Sequence, residues 1–147
     1  MLDTDMQSIN DKIYSKSEMY INFKSSIFYP TNTFPAYLSM SHKFSIRRIF
    51  TLLRTHSLPL KSNLLRWKVV NNNLCEKCTG GVYVENEFHL LFRCNAYTAI
   101  RSSFIPDRFT SRPNITTLYE LIESNDINVI KQICEFIFIA LNDRLFR

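Results

Sequence analysis

Apolar residues recur at helical spacing through most of the chain. Between Ser41 and Thr55, Ile46, Ile49, Phe50 and Leu53 follow an i, i+3, i+4, i+7 pattern, with Ser41 as N-cap, and predict an amphipathic helix. Lys43, Arg47 and Arg54 fall on its opposite side. The stretch from Thr55 to Pro59 ends that helix, because Pro59 disfavours helical backbone at the residue before it. Residues 60–70 predict a second, short helix with Leu60, Leu64, Leu65 and Trp67 inward and Lys61, Arg66 and Lys68 outward. Asn71, Asn72 and Asn73 read as a turn, and Val82, Tyr83 and Val84 alternate as one strand of a tiny hairpin. Asn86 caps a helix opening at Glu87, whose carboxylate suits a helix N-terminus. Asn95 caps another over Ala96–Phe104, with Tyr97, Ile100 and Phe104 inward. Residues 105–115, with Pro106 and Pro113, read as a loop.

Two further helices follow. The first spans Thr117–Glu123, with Leu118, Leu121 and Ile122 apolar. The second is capped by Asp126 and carries Ile127, Ile130, Cys134, Ile137, Leu141 and Leu145 as a stripe, widened by Phe136, Phe138 and Ile139. Upstream, Leu2, Met6, Ile9 and Ile13 sit at helical spacing within residues 1–20, and residues 21–41, with Pro30 and Pro35, read as an extended wrapping segment. The organisation is then a linker-like segment at 1–41, a central module at 42–105 and a C-terminal helical tail at 106–147 packing on it.

Composition sharpens this. With Gly 2 and Pro 5 among 147 residues there are few helix breakers, so the expectation is mainly α. Hydrophobic residues at 46% suffice for one buried core. The longest apolar run, Phe136–Leu141, is far short of the roughly 20 residues that span a bilayer, which predicts a soluble chain with no membrane partner. Four cysteines without a signal peptide predict an intracellular, nuclear or cytoplasmic setting where such residues bind metal rather than form disulfides. The net charge of +5 is unevenly placed: from Met19 to Cys75 there is no Asp or Glu. Lys43, Arg47, Arg54, Lys61, Arg66 and Lys68 fall in that interval and are the candidate nucleic-acid contacts, set against a merely solvated face. Trp67, His56 and His42 read as a core residue and two polar loop residues.

The chemistry is concentrated in CEKCTGGVYVENEFHLLFRC, residues 75–94. Cys75, Cys78, His89 and Cys94 have C-x2-C-x10-H-x4-C spacing, a ligand set for one tetrahedral, structural Zn²⁺. Gly80 and Gly81, the chain's two glycines, sit in the knuckle, where thiolate-facing backbone needs positive φ. His89 and Cys94 are five apart, about 140° around an ideal helix, so the helix carrying His89 must distort near Arg93. The predicted fold is a small helical domain built on one zinc site, a knuckle plus short helix, with at most a minimal β-hairpin. Cys134, on the apolar stripe, reads as core.

The segments LLRTHSLPL, LLRWKVVNNNLCEKC and ENEFHLLFRCNAY, followed by LYELIESNDINVIKQICEFIFIALNDR, resemble the zinc-binding C-terminal region of non-LTR retrotransposon reverse transcriptases. The resemblance covers roughly residues 20–147. It implies the same four metal ligands, and a piece of a polyprotein whose polymerase and endonuclease domains lie elsewhere. The family commonly has proline after the last cysteine, where this chain has Asn95. The expected function is a non-catalytic zinc module assisting sequence-indifferent RNA or DNA binding. The alternative is a protein-interaction module docking through Phe136–Leu141. No nucleophile with a paired base, carboxylate cluster or Gly-rich phosphate loop points to an enzyme.

Overall fold

The computed structural model describes residue 37, residues 44–79 and residues 82–145. The expectations for residues 1–20, most of 21–41, Ser41, His42, Lys43 and the two knuckle glycines lie outside the described residues.

The described chain is mostly helical. Helices α1 (Phe44–Arg54), α2 (Lys61–Arg66), α3 (Thr98–Phe104), α4 (Asp107–Thr110), α5 (Ile115–Ile122) and α6 (Ile127–Leu145) follow in order. Between α2 and α3 lie a π-helical turn at His89–Arg93 and a 3₁₀ turn at Asn95–Tyr97. Long α6 is the spine, packing against both α1 and α3, while α5 lies on α1 and α4 on α5. The α1 stripe is buried as its periodicity requires: Ile46, Ile49, Phe50 and Leu53 belong to one continuous core with Ile130, Ile133 and Ile137 of α6. Tyr37 closes over Phe50 edge-on at 4.9 Å. On α6, Ile130, Cys134, Phe136, Ile137 and Leu141 are buried, but Ile127, Phe138 and Ile139 are exposed. An apolar stripe therefore packs on one side only, and the outlying residues of the pattern face outward.

Helix ends differ from the sequence expectations in instructive ways. Helix α1 stops before Pro59 acts: Ser57 N–H bonds to Leu52 O (2.8 Å) and His56 N–H to Leu53 O (3.2 Å), with His56 left-handed at φ 53°. That is a Schellman end. The same pattern ends α2, with Val69 N–H on Leu64 O, Lys68 N–H on Leu65 O, and Lys68 at φ 61°. So α2 is only six residues long, and Trp67 caps it rather than continuing it. Trp67 and Leu65 are exposed, not core as expected; the inward position of α2 belongs to Asn63, which is buried. Residues 105–115 are not merely a loop. Pro106 leads into α4, its fixed φ being compatible with helix entry. Helix α5 begins at Ile115, earlier than the expected Thr117, because Asn114 makes a capping box: it accepts from Thr117 N–H at 3.0 Å. Asp126 caps α6 as expected, accepting from Asn128 N–H at 3.0 Å. Asn95 is not the expected cap of a helix over Ala96–Phe104: it opens the 3₁₀ turn, and α3 begins only at Thr98, with Tyr97 at its N-cap position and no side-chain cap.

Candidate metal centre

A single antiparallel bridge and a distorted helix bring the candidate ligands together. Leu74 and Val84 form an antiparallel bridge, flanked by Cys75 N–H on Tyr83 O (2.8 Å) and Glu85 N–H on Asn73 O (2.8 Å). The expected minimal hairpin amounts to this one bridge, and Asn72 leads into it by accepting from Leu74 N–H at 3.1 Å. It positions Cys75 and Cys78 on one wall. On the other, Asn86 Oδ1 accepts from His89 N–H at 2.8 Å. The ladder then widens: Cys94 N–H bonds to His89 O at 2.7 Å, five residues back rather than four. An i→i+5 bond adds a residue to the turn. It is the distortion that the 140° offset demanded, and it lets His89 and Cys94 point to one place.

All four ligand atoms lie within 4.8 Å of one another, and all four residues are buried. Cys75 Sγ is 3.9 Å and Cys78 Sγ 3.7 Å from Cys94 Sγ, and Cys78 Sγ is 3.4 Å from His89 Nε2. These are far beyond a disulfide's roughly 2.05 Å, and the cysteines are free. They match a tetrahedron: metal–sulfur bonds of about 2.3 Å give edges of about 3.8 Å. The group could hold one metal ion. The electrostatics agree. Burial, then the neighbouring Arg144, lowers the His89 pKa, keeping the imidazole neutral and able to ligate. Burial, then Cys75, pushes the Cys94 thiol up to about 12, so a cation is needed to ionise it. Tyr83 stacks over the His89 ring at 5.7 Å, covering its outer face.

Four charged residues that pattern reading left unassigned or on the surface surround this centre. Glu87, expected only to favour a helix N-terminus, is buried, with Asn63 Nδ2 donating to its Oε1 at 3.0 Å and His56 Nδ1 2.8 Å from its Oε2. His56 is thus a polar residue of the turn after α1 that also pairs with Glu87. Glu85 is buried against Arg144 and accepts from Lys61 N–H at 3.2 Å. Arg101 Nη2 donates to Cys94 O at 2.8 Å and Leu90 O at 3.2 Å, satisfying carbonyls of the π turn. Arg144 touches two of the sulfurs. One signal was available: three residues beyond Leu141, Arg144 continues the buried α6 stripe.

The candidate nucleic-acid contacts divide. Arg47 is half-buried, and Arg54 is half-buried with its guanidinium 5.3 Å from the Tyr37 ring centre. Lys61, expected outward, is largely covered and pairs with Glu76. Arg66 and Lys68 are exposed around Trp67, which is 46% exposed with Arg66 5.8 Å from its ring centre. Arg66 also reaches back to His56 O at 3.2 Å. Among the described residues no helix is long and apolar enough to cross a membrane. No protein-family model, curated protein or solved structure matches the chain.

Proposed function

We propose that this chain is a non-catalytic structural-zinc module, a fragment of a retrotransposon-derived polyprotein, that assists RNA or DNA binding. The buried Cys75/Cys78/His89/Cys94 tetrahedron carries the metal reading. Three thiolates and an imidazole suit Zn²⁺, and four protein ligands leave no open position for a reacting water. The retrotransposon origin rests on the motif resemblance. The nucleic-acid role is supported by Trp67, exposed between Arg66 and Lys68. A ring and two cations at one site offer a base a stacking face and its phosphates a counter-charge.

Two measurements test this. Elemental analysis of the purified chain should find one zinc per molecule, and a folded chain without metal refutes the zinc reading. A salt titration of single-stranded RNA binding should be steep, and Arg66→Gln with Lys68→Gln should flatten its slope by about two units. Trp67→Ala should weaken binding by about 1–3 kcal/mol at unchanged slope. The competing reading is a protein partner on α6, favoured by an open groove of about 320 Å³ lined by Ile46, Ile49, Phe104, Phe138 and Ile139. Absence of RNA binding would favour that reading.

A further inference from the structure

The metal ligands come from residues 75–94, yet the side chain that touches two of their sulfurs comes from the last turn of α6. Arg144 Nη2 donates to Cys75 Sγ at 3.8 Å and to Cys94 Sγ at 3.7 Å. Its Nη1 pairs with Glu85, and its guanidinium lies 5.2 Å from the Tyr97 ring centre. The side chain is only 10% exposed. The preceding residue makes a second tether: Asp143 Oδ2 accepts from Tyr97 Oη at 2.9 Å and pairs with Lys77 Nζ at 2.5 Å, between Cys75 and Cys78 in sequence.

The contact has a chemical preference. A nearly buried guanidinium N–H needs an acceptor, and an ionised sulfur accepts more strongly than a thiol. Glu85 fixes Nη1, so Nη2 is left aimed at Cys75 and Cys94, and this orientation fits the loaded Cys₃His site.

We infer that Arg144, held in place by Glu85, is the outer hydrogen-bond donor to two metal-bound sulfurs, and that metal occupancy in turn docks the last turn of α6. The inference rests on the structural-zinc reading above. A guanidinium bonds more strongly to a metal-bound thiolate than to a thiol. Coupling of this kind is reciprocal: whatever Arg144 adds to metal affinity, the metal returns to α6 docking.

The test uses the full chain, with zinc affinity read by competition against a chromophoric chelator and Co²⁺ as spectroscopic probe. Arg144→Gln should weaken zinc binding by about 10–100-fold, the usual effect of removing an outer partner of a metal site. In its Co²⁺ form the thiolate-to-metal band should move to longer wavelength, because the sulfur electrons lose a donor. Amide exchange in the last turn of α6 should rise with metal bound. Arg144→Lys, which keeps the charge, should recover part of the affinity. If the single variant does not fold because Glu85 is left unpaired, Glu85→Gln with Arg144→Gln removes both charges and should show the same loss. Parent-like zinc affinity and an unmoved Co²⁺ band in either variant overturn the inference. A parent chain that binds no zinc overturns the metal reading itself, a distinguishable result.

Discussion

The four candidate ligands, which the structure does bring together, were legible because their chemistry and spacing stand out from everything near them. Glu85, Glu87 and Arg144 were not, since a charged residue in a local pattern reads as exposed until its distant partner is known. Asn63 and His56 reach Glu87 from other elements, and Arg144 reaches its sulfurs from 50 and 69 residues away. Cys134 was legible for the opposite reason: one thiol on an apolar stripe is a small hydrophobe. It is fully buried, and burial, then Glu135, pushes its thiol up to about 12. Thiol reagents at neutral pH should therefore label Cys134 slowly in the metal-loaded protein, and Cys134→Ala should leave metal content unchanged. Rapid native labelling would contradict the packing. His89 carries a pH consequence. Its folded pKa lies below the ordinary 6.5, so protons bind preferentially to the unfolded chain as pH falls. The share of stability that His89 contributes should be fully present above about pH 6.5 and decline below it, which a series of melts of the parent and His89→Ala chains would follow.

At the scale of elements, periodicity located α1, α5 and α6 well, since each buries the stripe that predicts it. It misjudged α2, where the pattern reads Trp67 and Leu65 inward but the face turned to the core carries Asn63. It also missed α4, whose four residues are too few to establish a period. The two Schellman ends use His56 and Lys68 where glycine would be easier, since a side chain at left-handed φ costs roughly 1–2 kcal/mol. The two positions should respond oppositely to glycine. Lys68 is exposed, so Lys68→Gly should stabilise by about 0.5–1 kcal/mol, net of the added freedom of the unfolded chain. His56→Gly removes a partner of buried Glu87 and should destabilise by about 1–3 kcal/mol. Denaturant midpoints at constant m-value measure both. A loss of stability at Lys68 would mean that its side chain has a role beyond closing the helix. For α5, Asn114→Ala removes the capping box and should cost about 1 kcal/mol.

For the whole molecule, the question is whether metal and core are separable. Segment by segment, the sequence suggests a central module with a tail resting on it. The packing joins them: Cys75, Cys78 and Cys94 belong to the same buried cluster as Phe50, Ile133 and Ile137, and α6 touches both α1 and α3. Arg144 and Asp143 tie the end of α6 to the knuckle. Structural zinc is worth on the order of 10–16 kcal/mol in small peptides, against roughly 5–15 kcal/mol for the net stability of an ordinary domain. If the ion held by this group is zinc, losing a term that large from a shared core should unfold more than the knuckle. Cys134 is a reporter for this, since it lies on α6, is not a ligand, and is shielded only by the packing. Titrating a strong chelator should therefore collapse the helical circular dichroism and open Cys134 to labelling in one transition. Cys78→Ser or His89→Ala should reach that state without chelator. Cys134 still shielded after the metal has gone would mean that α1, α5 and α6 hold a core of their own, and that the metal organises only the part of the chain that binds it.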